Sequence, residues 1–429
     1  MACVLAGTAA AAQPASAAAL AFNPLRPADP ADDSGLYVRG QKAATVAEGP
    51  TGQFSPDTLK SPYIRGGFIR LSWSMLEPTE GAYNWAFLDA VVKQLKERGL
   101  KYEVSVSAGF DSPKWLLEGS RIQAFEFERK KREAVMSPIP WDGAYLAQWA
   151  KFLRALGQRL AGDPDFVAVR VGGVQAGSSL EMGLPKALLD HGYTPEKVKR
   201  AWAANLAAYA EAFPGKPFMI NVNKLLNAPG ESGEQTARAV VDQAVARYGR
   251  RLILSNSGIN PKSAENGFSA DLIRAYTSSD RVLAQLGPWA PITGTAHAMG
   301  RHKDDPVEKK LRDTFEAAFR LRAKYLAIDP PDVLDPRLQQ GLAWVAAKQE
   351  AAEGRPLRFT LQPNEDRPEL KYSARNLPQG ASFDPATHTF TWTPAPGQAG
   401  VYLNVRFEVT DGRQTAAQEV PIIVRKAAR

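Results

Sequence analysis

The sequence predicts an α/β protein, a (β/α)8 barrel followed by a small all-β sandwich. Three observations predict it. Short apolar runs alternate with longer stretches of helical periodicity, giving eight β/α units over roughly 270 residues. After Pro336 this alternation stops, and from Arg355 apolar residues recur at every second position. No glycine-rich phosphate loop follows the first expected strand, so an open doubly wound sheet has no support.

The elements follow in order. The stretch from Asn23 to about Leu59 is rich in Pro, Asp and Gly and reads as a leader running into a loop. Gly67–Leu71 is the first expected strand. Asn84 caps a helix over Trp85–Arg98, whose Phe87, Leu88, Val91, Val92 and Leu95 share one face, and Gly99 closes it. Strands are then expected at Tyr102–Val106, at a short third site Val135–Ile139, and at Phe166–Val171, with a helix over Tyr145–Leu160. Thr194 and Pro195 start a helix through Phe213, before the strand Phe218–Val222. Helix Glu234–Tyr248, strand Leu252–Ser255, helix Ala270–Thr277 and strand Val282–Leu286 continue the pattern. Helix Pro306–Arg322 and strand Tyr325–Ile328 complete it, and Gly341–Glu350 reads as one more short helix or a linker. In the last segment, Leu357, Phe359 and Leu361, then Phe390 and Trp392, then Val405, Phe407 and Val409, then Val420, Ile422 and Val424 alternate with polar residues. The expected organisation is a leader and linker over 1–35, the barrel over 36–340, a linker over 341–354 and the sandwich over 355–429.

Composition bounds the function. A hydrophobic fraction of 44% with 23% charged residues supplies a large core and argues against disorder. The formal charge is +8, yet Lys and Arg are mixed with Asp and Glu almost everywhere, so no face for nucleic acid is expected. The densest run, Arg129-Lys130-Lys131-Arg132, follows Glu126 and Glu128 and reads either as a solvated loop or helix face or as a contact for an anionic ligand. A single cysteine, Cys3, excludes a disulfide framework and a cysteine-based metal site. Residues 1–22 are small, apolar and uncharged, with A-x-A patterns around Ala15–Ala19. They read as the apolar region and cleavage site of a secretory signal, with too few large side chains for a membrane span. His297 and His302, near Asp304 and Asp305, match no helical ligand pair, so neither a metal nor a cofactor is expected. His191 and His388 read as surface residues, and no G-x-S-x-G is present.

Phe68 to Leu116 carries an apolar strand followed by Trp73, then Glu77-Pro78, Gly81 and Tyr83, a helix with Leu88-Asp89, the turn Gly99-Leu100, and Pro113, Trp115 and Leu116. This pattern resembles the first two β/α units of clan A glycoside hydrolases, most closely the family 42 β-galactosidase type. The resemblance implies a TIM-type barrel acting on carbohydrate, with an acid/base carboxylate after the fourth strand and a nucleophile at the end of the seventh. Glu181, ten residues beyond Phe166–Val171, stands in the acid/base position, although Leu180 replaces the usual preceding Asn. The seventh strand offers Gln285 and no carboxylate. Asp329 and Asp332 after the eighth strand, and Asp111 after the second, are the replacement carboxylates in reach by position. Glu77 reads as a residue that shapes its turn.

Trp73, Trp115, Trp141 and Trp289 are expected near strand ends, where indole faces either stack on sugars or pack the barrel rim. Asn221, Asn223, Asn256 and Gln285 are polar residues at strand ends that sugar hydroxyls can satisfy. The C-terminal segment, with Tyr372-Ser373-Ala374, Leu377-Pro378, Phe383-Asp384, Trp392-Thr393-Pro394, Gln398-Ala399-Gly400 and Asp411-Gly412, resembles the Ig-like domain of bacterial extracellular proteins. That resemblance implies a spacer or docking unit, for the cell envelope or a polysaccharide, and a secreted, periplasmic or cell-surface setting. Three functions stay open. One is a glycoside hydrolase with Glu181 as acid/base, another a catalytically silent saccharide-binding barrel, and the third a lyase or transglycosylase on an acidic polysaccharide.

Overall fold

The computed structural model describes residues 22–24, 33–41, 53–118, 121–128, 133–175, 182–259, 267–288, 290–294, 304–363 and 369–427. The chain divides into two compact units, one of residues 30–346 and one combining 1–29 with 347–429. The larger is a closed barrel of eight parallel strands: β1 (Gly35–Arg39), β2 (Gly66–Ser72), β3 (Lys101–Ser107), β4 (Phe166–Arg170), β5 (Phe218–Asn221), β6 (Leu252–Asn256), β7 (Leu283–Leu286) and β8 (Tyr325–Ile328). Tyr325 to Ile328 of β8 lie beside Gly35 to Val38 of β1, which closes the ring. Strands buried on both faces read as nearly continuous apolar runs, and these do.

Three of the long helices between the strands start where side chains supply the missing acceptors. Asp142 accepts from the Tyr145 amide ahead of helix Gly143–Leu160, and Thr194 accepts from Lys197 ahead of Pro195–Ala212. Ser232 and Gln235 form a reciprocal capping box at Gly233–Tyr248.

Two expectations are corrected. The strand expected first, Gly67–Leu71, is the second of the barrel. The true first strand, Gly35–Arg39, lies in the stretch that read as leader and loop. Val135–Ile139 is not a barrel strand. Ala134–Pro138 pairs antiparallel with Ala124–Glu128 in a separate hairpin between β3 and helix Gly143–Leu160. The errors cancel, so Phe166–Arg170 is the fourth strand and Leu283–Leu286 the seventh, as expected.

The smaller unit has two four-stranded sheets. One runs Phe22–Pro24, Leu357–Pro363, Thr389–Trp392, Ser382–Asp384, and the other Gln349–Ala352, Thr415–Arg425, Gly400–Thr410, Lys371–Arg375. Phe22–Pro24 is thus a strand contributed from the segment that read as leader. The alternating residues Leu357, Phe359, Leu361, Val405, Phe407, Val409, Val420, Ile422 and Val424 form one buried core with Phe390 and Trp392.

Candidate functional site

Alternation along each barrel strand decides which side chains point inward. One inner layer is apolar, built from Tyr37, Ala168, Met219, Ile253, Leu283 and Tyr325. Two residues further along β4, β6 and β7 the interior turns polar, and Glu103 of β3 joins this polar group. Arg170 of β4 donates to Ser255 Oγ of β6 at 3.3 Å and to Gln285 Oε1 of β7. Gln285 Nε2 donates in turn to Glu103 Oε1 of β3 at 2.6 Å. Only side chains crossing the barrel interior can join strands three and four places apart in this way. The Arg170 guanidinium also lies 4.0 Å over the Phe68 ring. Glu103 is fully buried, and loss of solvation pushes its carboxyl up to about 7, against the pull of Arg170 and the Gln285 hydrogen bond. The same burial draws Arg170 down to about 10, so it keeps its charge at neutral pH.

At the C-terminal ends of the strands, where barrels of this type hold their working residues, β8, β1 and β2 are neighbours and form a charged wall. Arg39 Nη1 meets Asp329 Oδ2 at 3.2 Å, and Arg39 Nη2 donates to Pro288 O at 2.6 Å. Burial raises the Asp329 carboxyl above its ordinary value, and Arg39 and Arg70 oppose that rise. Arg70 follows Phe68 on the inward face of β2. Its backbone is gripped by buried Gln53, which accepts from Arg70 N at 3.2 Å and donates to Arg70 O at 2.6 Å. The amide thereby replaces a strand neighbour where β1 has ended. Across the mouth, Asn221 at the end of β5 donates to Ser257 Oγ at 3.3 Å. Asn256 of β6 caps its own turn by accepting from Gly258 N at 2.7 Å.

The expected site residues separate into distinct groups. Asp329, Asn221, Asn223 and Asn256 stand at strand ends; Asn223 is half-buried and accepts from the Lys224 amide at 2.8 Å. Gln285 is no surface ligand, because it is 1% exposed and both ends of its amide are used inside the barrel. Trp73 is no sugar platform either. It is fully buried, donates to Glu77 Oε2 at 2.7 Å and packs among Trp115, Tyr145, Trp149 and Phe152. Glu77 also accepts from Gly81 N at 2.8 Å, so it shapes the turn as expected. Trp115 and Trp141 keep part of their surface exposed, the first bonded to Glu77 O and the second edge-on to Tyr193. Asp332 is fully buried and accepts from Ile292 N, Thr293 N and Thr293 Oγ1 at 2.8–2.9 Å. Three donors occupy it in holding the loop after β7, which leaves it unsuited to proton transfer. Asp332→Ala is expected to cost about 2 kcal/mol in chemical denaturation by orphaning those donors; an unchanged midpoint would refute the loop-holding role.

Glu181, Trp289, His297 and His302 lie outside the described residues. The loop that carries Glu181 is nevertheless anchored at both ends. Gly172 N donates to Tyr209 OH at 2.8 Å, Asn205 Nδ2 to Gly172 O at 2.7 Å, and Tyr145 OH to Gly173 O at 2.6 Å. On the far side, Met182 is buried and its amide donates to Asn221 O at 3.1 Å, at the end of β5.

Sequence reading missed Arg39, Arg70, Glu103 and Arg170 as a set. The signal was available, since a charged residue inside the apolar run of a strand buried on both faces must point into the barrel. Among the described residues no group of three or more His, Cys, Asp or Glu is placed to hold a metal ion, and no helix is long and apolar enough to cross a membrane.

Two families match the chain in part. Residues 67–173 match the glycoside hydrolase family 42 family described as "Beta-galactosidase", and residues 340–425 match the family described as "Putative Ig domain". These are the two families that the sequence motifs resemble. No curated protein sequence matches. Among solved structures, the catalytic domain of beta-amylase from Paenibacillus polymyxa is similar at 11% identity and TM-score 0.49, over 72% of this chain and 95% of that one. Xylanase B from Clostridium stercorarium F9 is similar at 13% identity and TM-score 0.42, over 69% and 86%. Endo-glycoceramidase II from Rhodococcus sp. is similar at 16% identity and TM-score 0.43, over 88% and 98%.

Proposed function

We propose that this protein is a glycoside hydrolase acting outside the cytoplasm, with its reaction at the barrel mouth, Glu181 as general acid/base and Asp329 as the second carboxylate. The observation that carries the choice of partner is the position of Asp329. It follows β8 directly, at the mouth, with one oxygen held by Arg39, whereas Asp332 is taken up by three loop donors. Hydrolysis requires one carboxyl to protonate the leaving oxygen and a second to attack the anomeric carbon or to activate water. Burial raises the Asp329 carboxyl overall, and Arg39 and Arg70, in opposing that rise, favour the ionised form that the second task needs. The match of residues 67–173 supports the reaction class, and the Ala-rich leader with the Ig-like match supports the location.

A second reading, the silent saccharide-binding barrel, is favoured by Gln285, which fills the seventh-strand position with an amide locked to Arg170 and Glu103. Product release from a panel of neutral and acidic polysaccharides separates the two. Wild type is expected to cleave at least one polymer, and Glu181→Gln and Asp329→Asn are each expected to slow it by about 100-fold or more with folding intact. Undiminished cleavage by either variant removes that residue from the mechanism. Binding without cleavage by wild type selects the silent barrel.

A further inference from the structure

We infer that the barrel mouth contains an anion subsite centred on Arg70, which receives the carboxylate of a uronic-acid unit in the bound saccharide. This rests on the carbohydrate reading above and adds the class of substrate.

The three arginines in and around the polar interior differ in what they have to do. Arg170 is spent on Ser255 and Gln285, and Arg39 on Asp329 and the Pro288 carbonyl. Among the described residues Arg70 has no side-chain hydrogen bond or ion pair, although it is half-buried and its backbone is fixed by Gln53. Burial and the nearby Arg39 both act against its charge, and Asp329 favours it. A desolvated guanidinium with unused donors is costly unless an acceptor arrives. Its planar fork matches the two oxygens of a carboxylate. Among the described residues the wall formed by β8, β1 and β2 sets two cations, Arg39 and Arg70, against one carboxylate, Asp329. The facing strands β5 and β6 present Asn221, Asn256 and Ser257, groups suited to sugar hydroxyls. A sugar ring with hydroxyls on one side and a carboxylate on the other fits this division. The overall charge of +8 draws such polymers toward the protein.

The test measures binding by the full chain of uronic-acid oligosaccharides in the gluco, galacto and manno series, each against its methyl ester, which removes the charge and keeps the sugar. Wild type is expected to prefer one free acid over its ester by roughly 10- to 100-fold, the worth of a charge-assisted bond. That preference is expected to collapse toward unity in Arg70→Met, to survive in part in Arg70→Lys, and to weaken in wild type as salt rises. Should Arg70→Met fail to fold, a several-fold loss in Arg70→Lys still reads out the lost fork. Equal binding of acid and ester by wild type, or a preference that neither variant alters, overturns the subsite and leaves the carbohydrate reading standing. Tighter binding of a sulfated oligosaccharide than of any uronate overturns the carboxylate assignment. Failure to bind acid, ester or neutral oligosaccharide sinks the carbohydrate reading and the subsite together.

Discussion

Glu103→Gln is expected to leave the stability of the barrel nearly unchanged at pH 5 and to raise it relative to wild type at pH 8, by about 3 kcal/mol. The sign follows from the direction of the shift. Glu103 is buried, and its carboxyl is pushed up to about 7 by lost solvation, with Asp33 adding to the rise and Arg170 and Gln285 opposing it. Below the ordinary glutamate value both folded and unfolded chains hold the proton. As pH climbs toward 7 the unfolded chain releases it first, so wild type loses stability across that window. Arg170, drawn down only to about 10, stays charged throughout and does not titrate there. Glutamine has the shape of the protonated acid, keeps a partner for Gln285 and has no proton to lose. Arg170→Met should act oppositely. Without the nearby cation the Glu103 carboxyl rises further, and the pH-dependent loss extends above 7. Denaturant unfolding of the barrel at pH 5 to 8, followed by the fluorescence of buried Trp73, Trp149 and Trp202, tests both. Parallel pH profiles for wild type and Glu103→Gln would show that the buried carboxyl keeps an ordinary affinity for its proton.

This charged interior also marks the limit of what pattern alone revealed. β4 to β8 were legible because each is a short apolar run set between stretches of helical periodicity, as with Phe218–Asn221 ahead of the helix that the Ser232 capping box starts. β1 was not, because Gly35–Arg39 sits in a stretch dominated by Pro, Asp and Gly. The hairpin Ala124–Pro138 passed for a barrel strand because Val135 to Ile139 is apolar at the right spacing. Its partner Ala124–Glu128 alternates Phe125 and Phe127 with Glu126 and Glu128, a period-two signature of antiparallel pairing. At the site, strand-end positions were legible and burial was not. Trp73 and Trp115 both follow strands in β/α connections, yet one is sealed beneath an aromatic layer and the other retains an open face. The turn from the end of β2 into a short helix at Trp73–Leu76 sends Trp73 toward helix Gly143–Leu160, and nothing in the neighbouring residues announces that turn.

That aromatic layer also governs the loop on which the proposed acid depends. Gly173→Ala is expected to destabilise the barrel by more than about 3 kcal/mol and to depress any activity that requires Glu181. Gly173 has φ +100°, a backbone region that alanine adopts only under strain. An added Cβ would stand 2.4 Å from Trp149 Nε1 and 3.0 Å from Asn205 Oδ1. Neither neighbour can retreat. Trp149 is fully buried between Trp73 at 5.0 Å and Phe152 at 5.2 Å, with Tyr209 behind it, and Asn205 is tied to Gly172 O. The backbone must therefore shift, and with it the bonds from Tyr209 and Tyr145 that fix where the loop leaves β4. Gly183, at the other end of the same loop, is the matched control. Its nearest neighbours to an added Cβ are 3.9 Å away, so Gly183→Ala should change stability by no more than about 0.5 kcal/mol. Thermal unfolding of both variants, with product release measured on whatever polymer wild type cleaves, makes the comparison. Equal melting temperatures for the two would mean that the chain leaves β4 along a path with room for a side chain. Loss of activity in Gly183→Ala at wild-type stability would move control of the loop to the anchor that Met182 makes with Asn221.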